Sequence, residues 1–189
     1  MLTIHTYPLG PIQTNCYIVN DDKGNCLIFD PGDEAERIIR HIAEKELRPV
    51  AILLTHAHFD HIGAVDGVRD HFGIPVYIHE EEREWLSNPT LNGSAKYAGL
   101  PNIQNREADF NMQQEGKVTV GSFEFEVRHT PGHSPGSVSY IFEASGFAVV
   151  GDTLFKQSVG RTDLQGGNTT VLLSSIHDKL LTLDDETII

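Results

Sequence analysis

The stretch Val50-Ala51-Ile52-Leu53-Leu54-Thr55-His56-Ala57-His58-Phe59-Asp60-His61-Ile62-Gly63 places a continuous aliphatic run directly before three histidines and an aspartate. A short unbroken apolar run reads as a strand buried on both faces, so it requires a covering layer on each side. The loop beyond such a strand is where a rigid scaffold presents reactive groups. His56 and His58, two positions apart, can turn toward one centre, while Asp60 and His61 can turn toward a second. Imidazole and carboxylate are donors that zinc and iron accept. The bland alternative, a surface cluster of histidines with no use, is disfavoured by the position at a strand end.

Working toward the N-terminus, residues 2–7, 15–20 and 26–30 read as short strands, the last two joined by the turn-like Asp21-Asp22-Lys23-Gly24. Asp30-Pro31-Gly32 breaks the third strand. Residues 34–46 then carry Ile38, Ile39, Ile42 and Ala43 at the spacing of an amphipathic helix. Working toward the C-terminus, residues 62–72 read as a helix closed by Gly73, 76–78 as a strand and 80–86 as another helix, with Glu80-Glu81-Glu82 as its acidic first turn. Periodicity fails over 87–116, which reads as a binding loop, a lid or a surface excursion. Strands follow at 117–120, 123–128, 137–142 and 147–151, then a helix over 169–181. Strands flanked by helices in both halves predict an α/β four-layer αββα sandwich.

Among 189 residues, 39% are apolar, enough for one core and too few for two. The expectation is a single domain over residues 1–189. The 14 basic against 27 acidic residues, a formal charge of −13, exclude a phosphate backbone as natural partner. The first ten residues have no basic start and no apolar stretch of signal-peptide kind, and the run 50–54 is far too short for a bilayer. A cytoplasmic protein acting on a small molecule, with no nucleic-acid or membrane partner, is expected; the oligomeric state is not legible. Cys16 and Cys26 lack CxxC spacing and read as buried reduced thiols.

Three further segments each follow an expected strand: Asp30-Pro31-Gly32, Thr130-Pro131-Gly132-His133-Ser134-Pro135-Gly136-Ser137 and Gly151-Asp152-Thr153-Leu154-Phe155. Together with the histidine cluster, and in this order, they resemble the metallo-β-lactamase superfamily over almost the whole chain, within it the small glyoxalase II-like hydrolases. The resemblance implies that His56, His58 and His133 bind a first divalent metal, that Asp60 and His61 bind a second, and that Asp152 bridges them. Zinc is the first expectation, with iron or manganese as alternatives. Two such ions hold a water, lower its pKa and polarise a scissile carbonyl. Asp60 is the expected catalytic carboxylate, orienting that water or taking its proton, and Asp30 is expected to anchor the metal loop through hydrogen bonds. Arg161 and Lys156, after the Asp152 motif, are candidates to hold a substrate carboxylate; alternatively Arg161 pairs with Asp163 to fix its loop.

The family supplies a last histidine to the second metal shortly after its final strand, and the sequence to Ile189 carries none. The resemblance therefore implies that the last segment of the fold is missing and that the second site, with Asp60, His61 and Asp152, binds its ion more weakly. The function implied is hydrolysis of a hydroxyacyl thioester. The alternatives are a mononuclear iron persulfide dioxygenase using His56, His133 and Asp152, a lactone hydrolase of the same fold, or an inactive metal-binding module.

Overall fold

The computed structural model describes all 189 residues. Strands β1 (Thr3–Leu9), β2 (Thr14–Asn20) and β3 (Asn25–Phe29) form an antiparallel meander. Helix α1 (Ala35–Glu44) crosses to β4 (Arg48–Leu53), which lies parallel to β3. Helices α2 (Phe59–Ile62) and α3 (Val65–Phe72) lead to β5 (Val76–His79), and β6 (Phe110–Met112) completes a six-stranded sheet in the order β1-β2-β3-β4-β5-β6. A second, antiparallel sheet has the order β10-β9-β8-β7, from β7 (Gly116–Val120), β8 (Phe123–His129), β9 (Val138–Phe142) and β10 (Phe147–Val149). A small ribbon of β11 (Leu154–Phe155) and β12 (Ser158–Val159) precedes α4 (Thr169–Ser175).

The alternation of side chains along β4 shows how the layers are held. Ala51 and Leu53 join Leu27, Phe29, Phe125, Val127 and Tyr140 in a core between the sheets. Ile52 and Leu54 point the other way, into a core with Ile38 and Ile42 of α1 and Val65 and Val68 of α3. Residues two apart on a strand share a face, so one aliphatic run feeds both cores. On the outer face of the second sheet Ile141, Ala148 and Val150 meet Leu180, where α4 continues as a π turn over Ile176–Leu180. The layers are thus helix, sheet, sheet, helix, as expected. Cys16 and Cys26 are buried and unpaired in the helix-side core, and burial pushes the Cys26 thiol up to about 12.

Three local expectations are corrected. The helix expected over 62–72 starts only at Val65, and a separate short helix over Phe59–Ile62 precedes it, because the Ala64 N–H donates to the Pro31 carbonyl (2.9 Å) and Gly63 packs directly on the Gly32 carbonyl. The helix over 80–86 is a 3-10 turn at Glu80–Glu82 followed by further i to i+3 bonds, Trp85 N–H to Glu82 and Asn88 N–H to Trp85. That tighter winding puts Glu82 and Trp85 on the same inward side. The segment 87–116 is ordered, through polar hubs: buried Asn92 donates to the carbonyls of Trp85 and Ile103, and Asn105 donates to that of Ile62. Side-chain amides satisfy the backbone here, so apolar periodicity carries no signal.

Candidate metal centre

Four loops meet at one edge of the sandwich, each leaving the end of a strand. β3 runs into Asp30, β4 into the histidine loop, β8 into the loop carrying His133, and β10 into Asp152. The sheets are tied there by the Val138 N–H donating to the Thr55 carbonyl (2.8 Å) and the Tyr140 hydroxyl donating to that of Leu54 (2.7 Å). The absence of a side chain at Gly32 is required at this edge, since a Cβ there would lie 1.8 Å from the Asp60 carbonyl oxygen.

The rings of His56, His58, His61 and His133 pack with centroids 4.1–4.8 Å apart. His58 Nδ1 is 2.8 Å from His133 Nε2. His61 Nε2 lies 3.3 Å from Asp152 Oδ1 and 3.6 Å from Asp60 Oδ2. The other Asp152 oxygen is 3.6 Å from His133 Nε2, so the two oxygens of one carboxylate face two different groups of donors. The donor atoms of His56, His58 and His133 fall within 4.8 Å of one another, as do those of His56, His61 and Asp152.

Outward hydrogen bonds set which ring nitrogen points inward. His61 Nδ1 donates to Asp30 Oδ2 (2.9 Å), and His133 Nδ1 donates to the Arg161 carbonyl (2.8 Å). The Thr55 hydroxyl donates to Asp30 Oδ2 (2.6 Å), so its oxygen is left to accept from His56 Nδ1 (3.1 Å). His56 and His133 thereby spend their proton outward and turn an unprotonated Nε2 to the centre, the form that ligates metal, and the Asp30 contact likewise aims His61 Nε2 inward. The Nε2 atoms of His56 and His61 are buried with no hydrogen-bond partner. Such an orphan costs about 1–3 kcal/mol unless something at the centre pairs with it.

Electrostatics describe the same centre. Burial, then His133 and His61, push His58 down to about 3, and burial with the neighbouring imidazoles holds His56 well below the usual histidine range. His61 goes the other way: burial opposes its charge, but Asp152, Asp60 and Asp30 overcome it and hold the ring well above that range. Asp152 is raised by burial and pulled down, chiefly by His61, to about 2. Three neutral imidazoles beside the ionised Asp152 form an environment complementary to divalent cations. His56, His58 and His133 could hold one, and Asp60, His61 and Asp152 a second.

Asp30 holds the metal loop from below. At φ 47 it occupies the left-handed region, which aspartate tolerates better than most residues, and its buried carboxylate also accepts the Thr55 N–H (2.7 Å). Two supporting residues were missed in the sequence. Thr14, at the start of β2, donates its hydroxyl to Asp60 Oδ2 (2.6 Å); nothing in the strand pattern marks it. Glu82 is fully buried and accepts the N–H of Ala57 (2.5 Å) and of Gly136 (2.8 Å), joining the two loops that carry His56, His58 and His133. A signal for it exists: Glu82 precedes Trp85 and Leu86 by three and four positions, which puts it on the apolar side of its turn.

Arg161 lines a cleft of about 180 Å³ beside His58, His133 and Asp152, together with Lys96 and Tyr97. Its side chain is exposed and donates through Nε and Nη2 to the two oxygens of Asp163 (2.7 Å each). Lys156 lines an adjoining cavity, alongside Asp60, His61 and Asp152, so the two candidate substrate cations border the metal centre in separate clefts. His79 and His129 stack on each other at 4.1 Å away from the donor cluster, and His129 Nε2 donates to the Pro135 carbonyl (2.7 Å), bracing the His133 loop. His177 is exposed on the π turn. No helix is long and apolar enough to cross a membrane.

Comparison with known proteins agrees with this geometry. Residues 9–189 match the family described as the metallo-beta-lactamase superfamily. The chain is 51% identical to the probable metallo-hydrolase YqgX of Bacillus subtilis, over 96% of this chain and 85% of the relative. It is 40% identical to the hydroxyacylglutathione hydrolase GloC of Haemophilus influenzae, over all of this chain and 89% of that one. The BLEG-1 B3 metallo-beta-lactamase structure superposes with a TM-score of 0.96 at 53% identity, covering 98% of this chain and 90% of the other. Fold, donor cluster and relatives agree, and the chain is a metallo-hydrolase of the metallo-β-lactamase superfamily.

Proposed function

We propose that the chain is a thioesterase that uses two divalent ions, zinc by the chemistry of its donors, to cleave an acyl thioester of glyoxalase II-like kind. The observation that carries this reading is the convergence of two buried donor groups, His56 with His58 and His133, and His56 with His61 and Asp152, with Asp152 turned to both and the His56 Nε2 left without a partner. The 40% identity to a hydroxyacylglutathione hydrolase supports the substrate class. Divalent ions held there supply Lewis-acid polarisation of a carbonyl and water acidified toward neutrality.

The residues of the chain do the rest. Thr14 holds one oxygen of Asp60, leaving the other to orient the attacking water and take its proton. Water oxygen adds to the carbonyl carbon, the C–S bond breaks with its electron pair on sulfur, and the products are a carboxylate, a thiolate and the released protons. Thiolates leave readily, so no strong general acid is needed opposite Asp60. Arg161 positions His133 through its carbonyl and presents a guanidinium, shared with Asp163, at the cleft rim where a carboxylate of the substrate passes.

The test is metal content together with turnover on thioesters, lactones and β-lactams. The expected result is two bound zinc ions, thioester cleavage, and loss of both turnover and several degrees of Tm on chelation, restored by zinc. A single iron with oxygen consumption on a persulfide, or cleavage of lactones alone, overturns it.

A further inference from the structure

Beside the cleft, and sharing Ile12, Phe59 and Asp60 with it, lies a second cavity of about 240 Å³. It is a crevice between the β1–β2 turn and the long loop after β5. Leu9, Pro11 and Ile12 form one wall, Leu100, Pro101 and Ile103 the other, with Phe59 as floor. Its volume is that of about eight liquid waters, hence of a chain with a similar number of heavy atoms. The charged side chains on it are Asp33 and Asp60, both acidic, and no cation lines it. The cleft that shares Phe59 with it also carries Asp60 and Asp152, but adds two cations that the crevice lacks, Lys96 and Arg161. Arg161 is engaged by Asp163, whereas Lys96 lines the cleft and enters no ion pair. Ile12 sits between the two cavities and is 51% exposed, an aliphatic side chain at the mouth of a site with no protein group covering it.

We propose that this crevice is an acyl-chain subsite. The substrate crosses Phe59 and Asp60 with its carbonyl at the metal centre, an uncharged aliphatic acyl group in the crevice, and an anionic thiol end toward Lys96. This rests on the thioesterase reading and narrows it to medium-chain acyl thioesters of acidic thiols. The acidic lining repels a carboxylate on the acyl side, while the apolar walls gain from each methylene that leaves water, about three- to fourfold in affinity per methylene. The same charges fix direction: an anionic end is rejected by Asp33 and drawn to Lys96.

The experiment uses zinc-loaded protein and 3-mercaptopropionate thioesters with acetyl, butanoyl, hexanoyl and dodecanoyl groups. Alongside them, calorimetry measures binding of the matching uncleavable thioethers. The expected result is that kcat/KM and thioether affinity both rise steeply from acetyl to hexanoyl and level off by dodecanoyl. L100W, which fills the crevice, and I12D, which charges its mouth, each flatten that rise at least tenfold; both positions lie on surface loops, so the fold is not at stake. K96A raises KM for the acidic thiol and not for thioesters of 2-mercaptoethanol. Thioesters cleaved and thioethers bound without regard to chain length overturn the subsite while leaving the thioesterase intact. Thioethers bound with the chain-length rise, but no thioester cleaved, uphold the subsite and overturn the thioesterase.

Discussion

The Glu82 carboxylate reaches the backbone N–H of Gly136 at 2.8 Å, and a Cβ on Gly136 would lie 2.8 Å from the Glu82 Cγ, so each residue sets what the other can be. The second oxygen of Glu82 takes the Ala57 N–H. One buried side chain thus holds together the two loops that supply the first group of histidines. Burial raises its pKa, and the Ser134 hydroxyl and the two N–H donors only partly offset that.

Removing this contact leaves two buried N–H groups without partners. Glu82→Ala is expected to cost about 2–5 kcal/mol in urea unfolding. Glu82→Gln matches the volume but turns an amide N–H toward one of the donors, and is expected to lose less stability while weakening zinc binding at the first site. Gly136→Ala is expected to cost about 1–3 kcal/mol by overpacking. Unchanged zinc affinity in Glu82→Gln would show that the contact serves stability alone.

Thr14 and Asp60 offer a cleaner separation of roles, because the hydroxyl touches one carboxylate oxygen and nothing else at the centre. Thr14→Val keeps the shape and deletes the donor. It is expected to lower kcat or metal affinity by about 10-fold to 100-fold, with Thr14→Ser recovering most of the loss. Steady-state kinetics at saturating zinc distinguish the two: a defect in kcat that persists there belongs to orientation of Asp60, and one that vanishes belongs to metal binding.

Acid stability should depend on Asp21, far from the centre. Its carboxylate accepts the N–H of Lys23 (2.9 Å) and Asn25 (2.8 Å), the Asn25 amide (2.9 Å) and the Ser122 hydroxyl (2.8 Å), tying the β2–β3 turn to the second sheet. Slight burial raises its pKa, but these donors pull it from the usual 3.8 to about 2. A folded value below the unfolded one means that the stabilisation is present above pH 3.8 and lost as pH falls toward 2. Asp21→Asn is expected to be less stable at pH 7, on the order of 1 kcal/mol after solvent screening, and to lose less on acidification through that window. Urea midpoints at pH 7, 4 and 2.5 measure both; parallel losses in the two proteins would remove Asp21 from the account.

The sequence by itself determined the layer order and picked out the histidines and aspartates that the fold draws together. Both depend on local pattern: an aliphatic run long enough for a two-faced strand at 50–54, and histidines and aspartates placed where strands stop. What holds those donors in place was decided only by the tertiary structure. Thr14 lies 46 positions from Asp60, and Glu82 lies 54 from Gly136, so these contacts leave no periodic trace in the chain. The loop over 87–116 was unreadable for a related reason: Asn92 and Asn105 order it by pairing with backbone groups, and hydrogen bonds of that kind follow no hydrophobic period. The two cavities that share Phe59, one with acids alone and the other with Lys96 and Arg161 besides its acids, exist only once the β1–β2 turn and that loop are folded over the metal centre.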